Sequence, residues 1–277
     1  MRIMIRILHI VLRETVQSGN QQTVTTWRNG AVEELRLPGP TIEVLPGVSW
    51  GRFDDFFTPA FWKARLWIDG EDSPLMEYAI GRSLREEVAA CLLGGFGMPA
   101  EVGLAAFERL RDRGLLNGTV PVSAIEDALR EPLAVGGRHV KYRYPGVKSR
   151  FLSAAMERMN REPAPAHCPL ALRGWLLTFP GIGPKTASWI TRNFMHSDEV
   201  AILDVHVIRA GVLMGLFSAR SKLPRDYLRM EERLVAFACA LGVKLSKFDS
   251  VLWCYMRRLN SLAIDALGGT AKASDLA

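Results

Sequence analysis

The sequence predicts a mainly α-helical protein that opens with a small antiparallel β unit. Three observations predict it. Strand signals are confined to residues 20–50, and helical apolar periodicity takes over from about residue 53. The 277 residues, 48% hydrophobic and 23% charged, suffice for one large globular domain or two ordinary ones.

The elements follow in order. Residues 1–16 are apolar but broken by Arg2, Arg6 and Arg13. They are too short and too charged to span a bilayer, and no small-residue cleavage site follows, so a core strand or helix is expected. TVTTW and AVEELRL flank Asn29-Gly30, a favoured hairpin pair, and Pro38, Gly39, Pro40, Pro46 and Gly47 then punctuate the chain. Further on, Ser83 to Glu86 and Ser123 to Glu126 both read as capping boxes. Leu104, Phe107 and Leu110 form a helical stripe. More helical periodicities run at roughly 148–160, 169–179, 184–195, 205–216, 225–241 and 246–263. The expected division is a β-containing region over 1–70, a helical domain over 71–265 with a helix pair near 170–195, and a frayed tail over 266–277.

Lys and Arg total 35 against 29 Asp and Glu, a net charge of +6 that suits a polyanionic partner without requiring one. Cys91, Cys168, Cys239 and Cys254 are too widely spaced for a zinc or iron–sulfur site. Reduced, mostly buried thiols of a cytoplasmic protein are expected.

The segment that carries chemistry is Leu176 to Arg209, LLTFPGIGPKTASWITRNFMHSDEVAILDVHVIR. An apolar helix is expected to end at Phe179, Pro180 to Gly183 to form a tight turn, and Pro184 to open the next helix. Gly181 and Gly183 let the backbone approach a ligand closely, and the new helix adds unpaired N–H groups at the same end. Such a turn grips a phosphodiester without reading bases, although an ordinary corner between helices also explains it. Lys185 falls in the first turn, where the helix dipole disfavours an ammonium and so favours the neutral amine that attacks carbon. A solvated surface lysine is its plainer reading. Asp204 follows nineteen residues later, behind Val200 to Leu203, where it would cap the next helix or stabilise a cationic sugar.

Taken together, FPGIGPK followed by LDVH resembles the helix-hairpin-helix DNA glycosylase superfamily, and within it the 8-oxoguanine DNA glycosylase/AP lyases. The likeness covers roughly residues 75–263; the first 70 match only loosely. The resemblance implies a fold of two helical subdomains and a flipped base bound between them. By the same resemblance Lys185 attacks C1′ of the damaged nucleotide and forms a Schiff base, and Asp204 supports the departing base. His206 would contact a phosphate, and Gly181 and Gly183 would grip the strand, often with a bound monovalent cation. An iron–sulfur cluster is not expected, because only Cys239 and Cys254 follow Asp204 and they lie too far apart.

Two features resemble the 8-oxoguanine branch in particular. Trp189 lies four residues after Lys185, on one helical face, where that branch stacks a flipped base. Asp249 and Trp253 form a similar pair, a carboxylate acceptor for the N1–H and N2–H₂ donors of a purine and a ring to stack on it. Core packing is the plainer reading of both tryptophans, and helix capping of Asp249. Between Arg138 and Arg150 lie six cationic or histidine side chains and two tyrosines, a stretch suited to phosphate contact. Here Lys148 and Arg150 resemble residues that approach the strand opposite the lesion. The expected protein is a monomeric repair enzyme acting on damaged double-stranded DNA, with no metal in the chemistry. The rivals are a glycosylase for oxidised pyrimidines or another modified base, and a non-catalytic DNA-binding module.

Overall fold

A computed structural model of the chain describes residues 20–28, 30–69, 79–95 and 97–266. The expectations for residues 1–16, for Asn29 and for the tail beyond Ala266 lie outside them.

The chain begins with strands β1 (Gln21–Arg28) and β2 (Ala31–Pro38), then β3 (Glu43–Leu45) and β4 (Val48–Ser49). β1 and β2 pair antiparallel with Arg28 opposite Ala31, and Gly30, just before β2, takes a φ of 82°. Helices α1 (Pro59–Asp69), α2 (Leu84–Leu93), α3 (Ala100–Asp112) and α4 (Val122–Arg130) follow. A short hairpin of β5 (Leu133–Val135) and β6 (Arg138–Val140) leads to α5 (Pro145–Arg161), α6 (Pro169–Leu176) and α7 (Pro184–Met195). The chain ends in α8 (Val205–Leu213), α9 (Tyr227–Ala240), α10 (Leu245–Arg258) and α11 (Asn260–Ala266). The architecture is mainly α with a small N-terminal antiparallel hairpin.

Local chemistry explains most boundaries. Ser83 caps α2, its Oγ accepting from the Glu86 amide at 3.3 Å, while the Glu86 carboxylate reaches back to the Arg82 amide at 2.7 Å. Ser123 does not cap α4: the helix starts one residue earlier behind Pro121, so Ser123 lies inside its first turn. In α3 the buried face is Val102, Ala106, Phe107 and Leu110; Leu104 is exposed at 44%. Residues 138–140, at the start of the basic stretch, form β6, because Gly136 and Gly137 adopt φ values of 56° and 77° and close a two-residue turn.

Compactness divides the chain differently from the linear boundaries at 70 and 265. One unit comprises residues 1–75, 205–221 and 236–277, the other 76–204 and 222–235. A two-stranded hairpin is too small to bury a core alone, and the first unit supplies helices for that purpose. There Trp62, fully buried, meets the Phe61 and Tyr255 rings edge-on at 5.0 and 6.1 Å, which joins α1 to α10. The Tyr255 hydroxyl donates to Asp69 Oδ2 at 2.9 Å across the same contact.

The second unit has its own core, built from Leu92, Phe107, Leu110, Ile125, Leu152, Leu176 and Ile190 among others. Burying each such side chain stabilises by about 1.5–3 kcal/mol. Its buried Glu87 accepts from the Ile80 and Gly81 amides at 2.9 Å and from Asn193 Nδ2 at 3.0 Å. A buried carboxylate is tolerable only when so satisfied, and here it ties α2 to α7.

Candidate active site

The site grows from the turn between α6 and α7. Pro169 stands at the start of α6, whose buried Leu172 and Leu176 face the core, so the helix ends four residues before the turn. The Phe179 ring is buried against Trp175 at 4.5 Å and lies under the Arg158 guanidinium at 4.9 Å. The Ile182 amide donates to the Phe179 carbonyl at 3.2 Å and closes the turn. Gly181 adopts a φ of 81°, and a Cβ there would sit 2.3 Å from Phe151 Cδ2. Both observations require glycine. Gly183 differs. Its φ is −95°, and a Cβ would meet nothing within 4 Å.

Pro184 then opens α7 as expected. The Ala187 amide is bonded to the Gly183 carbonyl at 2.9 Å, and the earlier first-turn amides lack an intrahelical acceptor. That leaves N–H groups and the positive end of the helix dipole beside an exposed Lys185. A phosphate would be favoured there.

Asp204, half-buried, immediately precedes α8 and is the last residue of its stretch of the second unit. Its amide donates to the Ile202 carbonyl at 3.1 Å, a three-residue turn that ends the apolar run. Trp189 is half-buried on α7, and its indole N–H is buried without a hydrogen-bond partner among the described residues. A buried unpaired donor costs about 1–3 kcal/mol. Lys148 is half-buried: its Nζ donates to the Gly94 carbonyl at 3.3 Å, and desolvation holds its pKa below the usual lysine range. Arg150 is exposed.

The other unit holds His206, half-buried in the first turn of α8, and the pair on α10. Asp249 is 2% exposed and accepts from the Ser250 hydroxyl at 3.2 Å. As the fifth residue of α10 it lies too deep to cap the helix. Trp253 is half-buried, with the Arg257 guanidinium over its ring at 4.5 Å. The structure therefore groups Lys185, Trp189, Asp204, Gly181, Gly183, Lys148 and Arg150 in one unit, and His206, Asp249 and Trp253 in the other. Arg257, which touches a candidate residue, was not singled out in the sequence, although its spacing of four from Trp253 was a usable signal.

The four cysteines are free; Cys239 is exposed and the others are half-buried, so the expectation of mostly buried thiols was too strong. Beside Glu87, desolvation and the neighbouring carboxylate push the Cys91 thiol well up, which disfavours its thiolate. Among the described residues no group of three His, Cys, Asp or Glu is placed to hold a metal ion, and no helix is long and apolar enough to cross a membrane.

Residues 75–243, more than half of the chain, match the family model described as 8-oxoguanine DNA glycosylase. The chain belongs to the 8-oxoguanine DNA glycosylase family. The matched stretch contains the hairpin, Lys185 and Asp204, and it stops before Asp249, Trp253 and Arg257. The 8-oxoguanine DNA glycosylase of Thermotoga maritima is 26% identical, with a TM-score of 0.56 over 72% of this chain and 97% of that one. The 8-oxoguanine DNA glycosylase of Methanocaldococcus jannaschii is 23% identical, with a TM-score of 0.52 over 70% and 89%. A structure of the latter organism's glycosylase/lyase with a 15mer DNA containing 8-oxoguanine aligns at 21% identity and a TM-score of 0.53, over 72% and 96%. At those identities the Methanocaldococcus structures establish the fold alone. It is the helix-hairpin-helix glycosylase fold, with α6, the turn and α7 as its hairpin.

Proposed function

We propose that the protein is a bifunctional DNA glycosylase and AP lyase that removes 8-oxoguanine, preferably opposite cytosine, from duplex DNA. One observation carries the reading. In a chain of this family, Lys185 stands in the first turn of the helix behind the Gly181–Gly183 turn, and Asp204 belongs to the same compact unit.

The lesion nucleotide is flipped from the stack, at a cost of a few kcal/mol, and its C1′ meets the Lys185 amine. The amine attacks as a neutral base, the N-glycosidic bond breaks, and the electron pair leaves with the base. Asp204 stabilises the positive charge that develops on the sugar as that bond stretches. The amine-linked sugar opens to a Schiff base, and β-elimination then expels the 3′ phosphate. Trp189 and Trp253 supply stacking faces for the purine, and Asp249 supplies the acceptor for its N1–H and N2–H₂ edge.

DNA is held by the turn amides of Gly181 and Gly183 and by His206, Lys148 and Arg150, within a chain of net charge +6. No metal takes part in bond breaking. A monovalent cation at the turn would be held by backbone carbonyl oxygens, because the side chains of residues 179–183 carry no ligating atom. The enzyme acts as a monomer.

The reading is tested by incubating the protein with duplexes carrying 8-oxoguanine opposite each base, or an oxidised pyrimidine, and identifying the released base by mass spectrometry. Release of 8-oxoguanine, fastest opposite cytosine and with strand scission, is expected. Release of pyrimidines alone would favour the rival substrate, and binding without release would favour the non-catalytic reading.

A further inference from the structure

In the segment Val200–Leu203 that leads to Asp204, Val200, Ala201 and Leu203 are fully buried, yet among the described residues it pairs with no strand. Buried backbone groups need partners. Two side chains one turn apart on α9 supply them. The Tyr227 hydroxyl donates to the Ala201 carbonyl at 2.8 Å and accepts from the Leu203 amide at 3.2 Å. Glu231 Oε1 accepts from the Ala201 amide at 3.0 Å. The same oxygen accepts from the Ser188 hydroxyl at 2.7 Å, while Oε2 receives the Arg173 guanidinium. Ser188 lies on α7 three residues beyond Lys185, and Arg173 lies on α6. Tyr227 and Glu231 are 1% and 2% exposed, so water does not compete for these bonds.

We infer that Tyr227 and Glu231 are positioning residues, a clamp that holds the Ala201–Leu203 backbone, and with it Asp204, in register with both helices of the hairpin. The inference rests on the glycosylase reading above. The clamp touches neither DNA nor the reacting atoms. It acts through Asp204, whose distance from the C1′ under attack by Lys185 decides how well it stabilises the sugar cation. Because the register is set by side chains rather than by a sheet, a single hydroxyl is enough to loosen it while the apolar core stays intact. No motif in the chain announces the pair, since Tyr227 and Ala201 stand 26 residues apart and Glu231 and Ser188 stand 43 apart.

The test is single-turnover excision of 8-oxoguanine at saturating enzyme, with Kd for the same duplex and amide hydrogen exchange of the free protein. Tyr227→Phe is expected to slow the rate constant by about tenfold to a hundredfold, as misplacement on the ångström scale does. Its reaction amplitude and Kd stay at wild-type values, and the Leu203 amide exchanges faster. Glu231→Gln, which keeps an acceptor for Ser188 and Ala201, retains more activity than Glu231→Ala. That pair carries the test if Tyr227→Phe melts below the assay temperature. A merely structural role would lower amplitude at an unchanged rate constant and would overturn the inference. An active wild type matched in rate by Tyr227→Phe overturns it too. An inactive wild type overturns the glycosylase reading and this role with it.

Discussion

Phe151 lies so close to Gly181 that a side chain at residue 181 would collide with its ring, a Cβ falling 2.3 Å from Cδ2. Two residues on, Gly183 faces open space. The two glycines of the turn therefore answer to different demands. Gly181→Ala should destabilise the protein by about 2–4 kcal/mol, combining positive-φ strain with overpacking. Gly183→Ala should cost less than about 1 kcal/mol and instead weaken binding to duplex DNA several-fold, because the added methyl obstructs close approach of a phosphate. Thermal melting and fluorescence anisotropy separate the two. Equal loss of stability in both variants would deny Gly183 a functional role.

Arg257 covers one face of the Trp253 ring, so the ring is both stacked and held in place. In a Lys185→Gln background, Trp253→Ala should weaken binding to an 8-oxoguanine duplex by the equivalent of about 1–3 kcal/mol, the worth of a stacking face. Arg257→Ala should cost about 0.5–1 kcal/mol. Neither should change binding to undamaged duplex to the same degree, and titrations of both duplexes check this.

The role proposed for Asp249 separates purine from pyrimidine excision. Asp249→Asn keeps the shape of the side chain and replaces one acceptor oxygen by a donor, which opposes the donors on a guanine edge. Excision of 8-oxoguanine should fall at least a hundredfold, about 3 kcal/mol of lost recognition. Any activity on oxidised pyrimidines should change far less. Competition assays with both lesions measure the ratio, and a uniform loss would assign Asp249 to the fold instead.

Lys148 carries a buried cost. Desolvation lowers its pKa in the folded state, so wherever the ammonium persists its burial destabilises the fold. That penalty is relieved only as pH rises through the folded-state value. Lys148→Met should leave Tm unchanged or higher at pH 7, with the difference shrinking at alkaline pH. DNA affinity should fall, and the slope of log Kobs against log salt should lose about 0.9 in magnitude if one phosphate contact disappears. Calorimetry and salt titration test the two halves.

Much of the helical frame of the candidate site was legible because local chemistry marks it. Pro184 behind a glycine turn placed the start of α7, and its end at Met195 followed from the periodicity. Lys185, Trp189 and Asp204 were named as candidates from their places along that frame and from the resemblance it carries. Other features were harder to read. The β5–β6 hairpin hid in three-residue strands too short to show alternation, with only Gly136-Gly137 as a signal. Ser123 imitated a capping box because the pattern repeats by chance, and Pro121 had already started the helix. The grouping of α8 and α10 with the N-terminal strands, and the Tyr227–Glu231 clamp, depend on contacts between residues distant in sequence. Periodicity carries no record of those.

Sodium borohydride trapping on a duplex with 8-oxoguanine opposite cytosine, comparing wild type with Lys185→Gln, tests the central claim most directly. A covalent protein–DNA adduct from wild type and none from Lys185→Gln is the predicted result. No adduct from wild type, or an equal adduct from Lys185→Gln, would contradict the assignment of Lys185 as the nucleophile.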